Sequence, residues 1–223
     1  QAGVPGQHEM RGKRQEIHLC MTDTRTVSMR WKNVWHRSKN WRKRSEVKEL
    51  LSRIISDFEV KISDFDEGTV EVSKDIEKYV KTLAEGKAKS VALNCTNDSI
   101  IIGADTIVVI DDNILGKPKD KDDAFRMLKL LSNNVHRVYS GVTVINNEKQ
   151  VMKSECLYTE VYFSELSDEE IWRYIDTGEC LDKAGAYGIQ GYGGVFVEKI
   201  NGCYYNVVGL PLNLLNKMIK NVL

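Results

Sequence analysis

Residues 99–120 read SIIIGADTIVVIDDNILGKPKD. The stretch opens on an apolar, β-branched run over 99–110, interrupted only at Gly103-Ala104-Asp105. A run of this length bounded by turn residues predicts a buried strand. Asp111-Asp112-Asn113 predicts a turn, and Ile114-Leu115-Gly116 a short return strand. The question this stretch raises is chemical. A carboxylate, Asp105, stands at the mouth of an apolar strand, and Lys117-Pro118 follows after the turn.

Periodicity places the remaining elements around that strand. Val47, Leu50, Leu51, Ile54 and Ile55 recur at helical spacing over 45–57, with Ser45 as the expected N-cap. FEVKI (58–62) alternates as a strand does. Ile76, Tyr79, Val80, Leu83 and Ala84 share one face of a helix over 73–93, which opens at Ser73. KDDAFRMLKLLS (121–132) is an amphipathic helix. Residues 136–146 and 153–166 read as two strands of a hairpin-like pair. Ser167 and Glu170 form a capping box for a helix that Gly178 closes. Residues 192–202 read as a strand, and Pro211 starts the last helix. This irregular alternation indicates a mixed α/β fold. Residues 1–30 show neither period and are expected to form an unassigned tail, disordered or an added leader, with one domain over 31–223.

Composition narrows the function classes. With 42% apolar and 29% charged residues among 223, the chain suits one globular domain with a sizeable core. No segment approaches the ~18 apolar residues of a membrane span, and no secretory pattern is present. Cys20, Cys95, Cys156, Cys180 and Cys203 are scattered, without C-x-x-C spacing. Reduced thiols in a cytoplasmic protein are expected, and a zinc site is not. The zero net charge is unevenly spread: residues 1–48 hold twelve Lys and Arg against four Asp and Glu. A basic arm of this kind could bind nucleic acid, but nucleic acid is not the expected partner.

Five groups could carry chemistry. Asp105 sits beside a small-residue break where a strand meets a turn, a common ligand position in α/β folds. Asp66-Glu67 adds carboxylates on a loop. Pattern alone favours a turn cap and solvated loop acids for these. Lys117, stiffened by Pro118, and Lys87, after Gly86, could offset phosphate charge, though an exposed lysine is the commoner reading of each. In LDKAGAYGIQGYGG (181–194), glycines crowd around Gln190, which favours a ligand loop over a plain bend. The spacing fits neither a P-loop nor G-x-G-x-x-G.

Together these residues resemble the Maf family of nucleotide pyrophosphatases. The matching blocks are GADTIVVIDDNILGKP, DAFRMLKLLSNNVHRVYSGV and DKAGAYGIQGYGGVFVEKINGCYYNVVGLPL, in family order. The resemblance implies an elongated α/β fold with a mixed sheet, two lobes and a central cleft, related to the inosine triphosphatase fold. It implies metal-dependent hydrolysis of nucleoside triphosphates to the monophosphate and pyrophosphate. AGAYGIQG and NVVGLPL resemble the branch acting on dTTP, UTP and modified pyrimidine nucleotides. Asp105, Glu67 and Gln190 match the family's catalytic positions, and Lys87 and Lys117 its substrate-binding lysines. Glu67 and Asp105 would hold Mg²⁺ or Mn²⁺; which is the general base stays open. A homodimer is implied, and no membrane.

The front departs from the family pattern, which begins with a strand ending in Ala-Ser-x-Ser-Pro-Arg-Arg. Here 32–51 reads KNVWHRSKNWRKRSEVKELL. Ser38, Arg42 and Lys43 could take the serine and arginine roles toward the triphosphate, with Asn40 for the second serine. Aligned instead on Glu49-Leu50-Leu51, that slot reads Arg44-Ser45-Glu46-Val47. In a third register, Asn40-x-x-Lys43-x-x-Glu46-Val47 resembles the opening of the inosine triphosphatase family. Two rivals therefore stand beside a dTTP- and UTP-directed enzyme: an inosine or xanthosine triphosphatase, and a catalytically impaired nucleotide-binding regulator of cell division.

Overall fold

A computed structural model describes residues 16–22 and 41–223. Seven strands form one mixed sheet: β1 (Glu16–Thr22), β2 (Glu59–Ser63), β3 (Ser99–Ile110), β4 (Asn113–Leu115), β5 (Val135–Asn146), β6 (Val151–Phe163) and β7 (Val197–Asn201). The order is β2-β1-β3-β5-β6-β7, with β4 added to β3. β1 runs parallel to β2 and β3, and β3 runs antiparallel to β4 and β5. Around the sheet lie α1 (Trp41–Ser52), α2 (Ile76–Ala92), α3 (Lys121–Leu131), α4 (Asp168–Asp176), α5 (Tyr204–Val208) and α6 (Leu212–Val222). The mixed α/β architecture is the one expected.

β3 organises the molecule through its period of two. Its odd residues face α2: Ile101 packs with Ala88 and Val91, and Ile107 and Val109 pack with Val80. Its even residues divide between two cores. Ile100 and Ile102 join Leu19, Leu50, Leu51, Leu215 and Met218. Val108 and Ile110 join Leu128, Leu131, Ile171 and Phe196. Ala104 and Thr106 lie between these cores. Two small side chains cannot span that distance, so a cleft opens there. The strand edge is open at the same place, because β1 pairs with Ser99–Gly103 and β4 with Val108–Ile110.

α2 lies unusually close to the sheet. A Cβ on Gly103 would stand 2.5 Å from the Ala84 carbonyl oxygen, and one on Gly141 2.3 Å from that of Val80. Those oxygens are helix backbone and cannot turn aside. Glycine at both positions is what lets the helix rest on strand backbone.

Several expectations are corrected. The tail expected over 1–30 contains β1, an interior strand of the sheet between β2 and β3. Its His18, Leu19 and Cys20 are all buried, so a strand covered on both faces shows no alternation. α1 spans 41–52, so Ser45 lies inside it rather than at its cap. Asp75, not Ser73, caps α2 by accepting from the Lys78 N–H (3.0 Å). β3 is unbroken, so Asp105 sits in mid-strand opposite Gly141 rather than at a strand mouth. The strand expected over 192–202 begins only at Val197, after a 3₁₀ turn over Tyr192–Phe196. The hairpin pair β5–β6 and the Ser167–Glu170 capping box, with Gly178 beyond at φ 73°, match expectation.

Candidate active site

Asp105 faces α2 because it shares the odd face of β3 with Gly103. Lys87 lies one turn beyond Ala84, the residue pressed on Gly103, so the close approach brings its ammonium to Asp105. The two form an ion pair, and Lys87 also meets Glu67 at 3.0 Å. Glu67 arrives on a 3₁₀ turn over Glu67–Thr69, capped by Asp66, whose Oδ1 accepts from the Gly68 N–H (2.9 Å). Of the expected acid pair, Asp66 thus shapes the turn and Glu67 enters the site.

These groups line a cavity of about 410 Å³ with Tyr79, Thr106 and Lys117. The sequence-predicted residues Glu67, Lys87, Asp105 and Lys117 are therefore brought together. Lys87 is 4% exposed, and burial alone would lower its pKa. Asp105 and Glu67 outweigh that burial, and the ammonium is held above the ordinary lysine range. Lys117 shifts the other way: burial lowers it, with Asp182, Glu67 and Asp105 opposing. One lysine is thus locked into its charged form, while the other loses hydration that a bound anion would replace.

A second cavity, about 260 Å³, adjoins the first and shares Thr106, Ala184 and Gly209 with it. Gln190 and its glycines line this second cavity, with Val108, Val138 and Tyr187 as apolar wall. Gln190 is exposed and does not line the Asp105 cavity. The Gly-Lys-Pro loop and the glycine-rich segment are tied directly, since the Gly185 N–H donates to the Gly116 carbonyl (3.0 Å).

Ser38 and Asn40 lie outside the described residues, as do the side chains of Arg42 and Lys43 on the first turn of α1. Leu19 and Cys20 near the end of β1, and Val47 in α1, line the larger cavity. Two contributors were not anticipated. Tyr79 stands eight residues before Lys87 on the same helical face, through Leu83. Burial, then Asp105 and Glu67, raise its phenol pKa. Thr106 follows Asp105 directly, so period two sends it to the opposite face, where both cavities meet. The helical spacing 79-83-87 was the available signal for the first.

A divalent cation suits this donor set. Glu67 and Asp105 already converge on one cationic atom, the Lys87 ammonium. Mg²⁺ typically takes one or two carboxylates and completes its shell with substrate phosphates and water. Among the described residues no cluster of three or more His, Cys, Asp or Glu could hold a metal without such help. Nor, among them, is any helix long and apolar enough to cross a membrane.

Residues 45–222 match the model of the Maf-like protein family. The dTTP/UTP pyrophosphatase of Clostridium beijerinckii (strain ATCC 51743 / NCIMB 8052) is 58% identical over 174 residues, covering 78% of this chain and 93% of the relative. That of Clostridium botulinum (strain Alaska E43 / Type E3) is 55% identical over 175 residues, with the same coverages of 78% and 93%. That of Clostridium novyi (strain NT) is 57% identical over 174 residues, covering 78% and 91%. β1 lies upstream of the matched region, yet it pairs with both β2 and β3. The chain belongs to the Maf-like protein family.

Proposed function

We propose that this protein hydrolyses nucleoside triphosphates, dTTP and UTP foremost, to the monophosphate and pyrophosphate, clearing modified pyrimidine nucleotides from the pool. The observation that carries the reading is the convergence of Lys87, Lys117, Asp105 and Glu67 on one cavity that opens into a glycine-lined neighbour. The printed name of the clostridial relatives, dTTP/UTP pyrophosphatase, supports the substrate class.

The triphosphate lies in the larger cavity and the base extends past Thr106 toward Gln190. Lys87 and Lys117 offset charge that builds on the phosphate oxygens during attack. A carboxylate of the Asp105–Glu67 pair takes the proton of the attacking water, which is directed at the α-phosphorus. Glu67 and Asp105 would hold Mg²⁺ or Mn²⁺, which when bound polarises phosphate oxygen and lowers the pKa of water. Gln190 reads the base edge with its amide, and the neighbouring glycines keep side chains out of the way. Segment 38–44, with Ser38, Arg42 and Lys43, contacts the triphosphate. In support, β1 and α1, which precede and follow residues 23–40 in the chain, line the cavity at Cys20 and Val47. The protein works in the cytoplasm, in keeping with five unpaired thiols. It does so as a homodimer, which sedimentation would test.

Pyrophosphate release from dTTP, UTP, inosine triphosphate and 7-methyl-GTP, each with Mg²⁺ or Mn²⁺, tests the reading. Preference for dTTP and UTP is expected. Preference for inosine triphosphate would overturn the substrate class, and binding without pyrophosphate release would favour a regulator.

A further inference from the structure

The segment carrying Gln190 is clamped by one carboxylate, Glu179, which also lines the second cavity. Glu179 Oε2 accepts from the Tyr192 N–H (2.9 Å), and its Oε1 accepts from the Gly193 N–H (3.3 Å) and the Tyr174 hydroxyl (3.0 Å). Tyr174 is a buried residue of α4, packed edge-on against Phe196 with ring centroids 5.0 Å apart. The clamp therefore stands on the rigid core of one lobe. It is also tight. A Cβ on Gly191 would lie 2.1 Å from Glu179 Oε2 and 2.4 Å from its Cδ, so a side chain there would have to push the carboxylate out of its hydrogen bonds. Gln190 immediately precedes this point, and Glu179 and Gln190 both line the second cavity.

We infer that Glu179 is a positioning residue for the reaction: its carboxylate holds the Gly191–Gly193 backbone so that Gln190 is presented to the nucleotide. Hydrogen bonds to a charged acceptor are the stronger kind, and here they anchor the first two backbone donors of the 3₁₀ turn over Tyr192–Phe196. The catalytic part of the inference rests on the pyrophosphatase reading above. The structural part, that Glu179 anchors this loop, does not.

Glu179→Gln keeps the side chain's size and its bond from Tyr174, but removes the charge and sets an amide against backbone donors. It is expected to fold, and to lose roughly 10- to 100-fold in kcat/KM for dTTP, the scale of a catalytic group misplaced by about an ångström. The decisive arm is the cycle with Gln190→Ala. If Glu179 acts through Gln190, the Glu179→Gln loss largely disappears once Gln190→Ala is present. Two additive losses would overturn the inference, and so would unchanged kinetics in Glu179→Gln. Amide hydrogen exchange over 186–196 supplies a readout independent of turnover. Glu179→Gln should accelerate exchange there while leaving β5 unchanged. Unaltered exchange would overturn the anchoring role even in a chain that hydrolyses no nucleotide. Absence of pyrophosphate release by the wild-type protein, by contrast, would strike at the pyrophosphatase reading. Where Glu179→Ala fails to fold, Glu179→Gln and Glu179→Asp carry the same tests, and Asp is expected to restore part of the activity.

Discussion

The two cavities that meet at Thr106 are held by different physics. In the larger one, position comes from a helix pressed on a sheet: Gly103 and Gly141 admit α2, and α2 delivers Lys87 to Asp105 and Glu67. Charge is concentrated there and internally paired. In the smaller one, position comes from a glycine loop strapped to Glu179 over an apolar wall. Charged phosphates and a flat, mostly neutral base make the same contrast of demands. A rigid, desolvated charge cluster suits the first, and a shaped pocket with a few directed hydrogen bonds suits the second.

The largest expected effect falls on the charged cavity. Asp105→Asn keeps the shape and an acceptor for Lys87, yet should lower kcat for dTTP by roughly 10²–10⁴-fold, the range of a lost acid–base group. Pyrophosphate release measures it against an unchanged melting curve, and near-native turnover would remove Asp105 from the reaction. Lys87→Met should cost about 3–5 kcal/mol of stability, because it leaves two carboxylates facing each other with their bridging cation gone. Denaturant unfolding at neutral pH tests this, and a loss confined to activity would mean the pair contributes little to the fold. Gly141→Ala probes the geometry behind that pair. Its Cβ meets the Val80 backbone, so overpacking of about 1–3 kcal/mol should appear together with weaker activity. Unchanged stability would show that α2 need not rest on the strand.

The effect on the second cavity's side is graded, because it depends on pH. Behind its Tyr187 wall, His136 is 1% exposed, and its Nε2 hydrogen-bonds the Tyr187 hydroxyl (2.8 Å). Burial pushes the imidazole pKa from 6.5 down to about 3. Between those values the unfolded chain binds more protons than the native one. The contribution is therefore intact above pH 6.5 and is lost as pH falls toward 3, at up to about 1.4 kcal/mol per pH unit. Urea unfolding between pH 7 and 4.5 should show this slope, and His136→Gln should flatten it. An equal slope in the variant would place acid sensitivity elsewhere.

Much of this was legible from local pattern. β5 and β6 show long β-branched runs, α4 announces itself by Ser167 and Glu170, and α3 by its amphipathic face. The elements that were missed had physical reasons to be silent. β1 is covered by neighbours on both sides and both faces, and His18 interrupts its apolar run, so neither alternation nor hydrophobicity marks it. Residues 192–196 run directly into β7 but form a 3₁₀ turn, in which the Tyr192 and Gly193 amides bond Glu179 rather than a neighbouring strand. Among the site residues, Lys117, Lys87 and Asp105 looked individually ordinary, and family resemblance rather than periodicity drew them together. Glu179 gave no local signal, since its role depends on a loop thirteen residues later in the chain.

Local sequence was enough to determine the class of fold and the character of most elements, because hydrophobic periodicity and capping chemistry act within a few residues. It also set the chemical types present: carboxylates, lysines, and a glycine-rich loop with an amide. Which of these share a cavity was decided in three dimensions. Asp105 proved to be a mid-strand residue, aimed at α2 by period two and reached by Lys87 only because Gly103 and Gly141 carry no Cβ. Close approach of backbone to backbone is a property of packed elements. No single stretch, including SIIIGADTIVVIDDNILGKPKD, contains both partners to that contact.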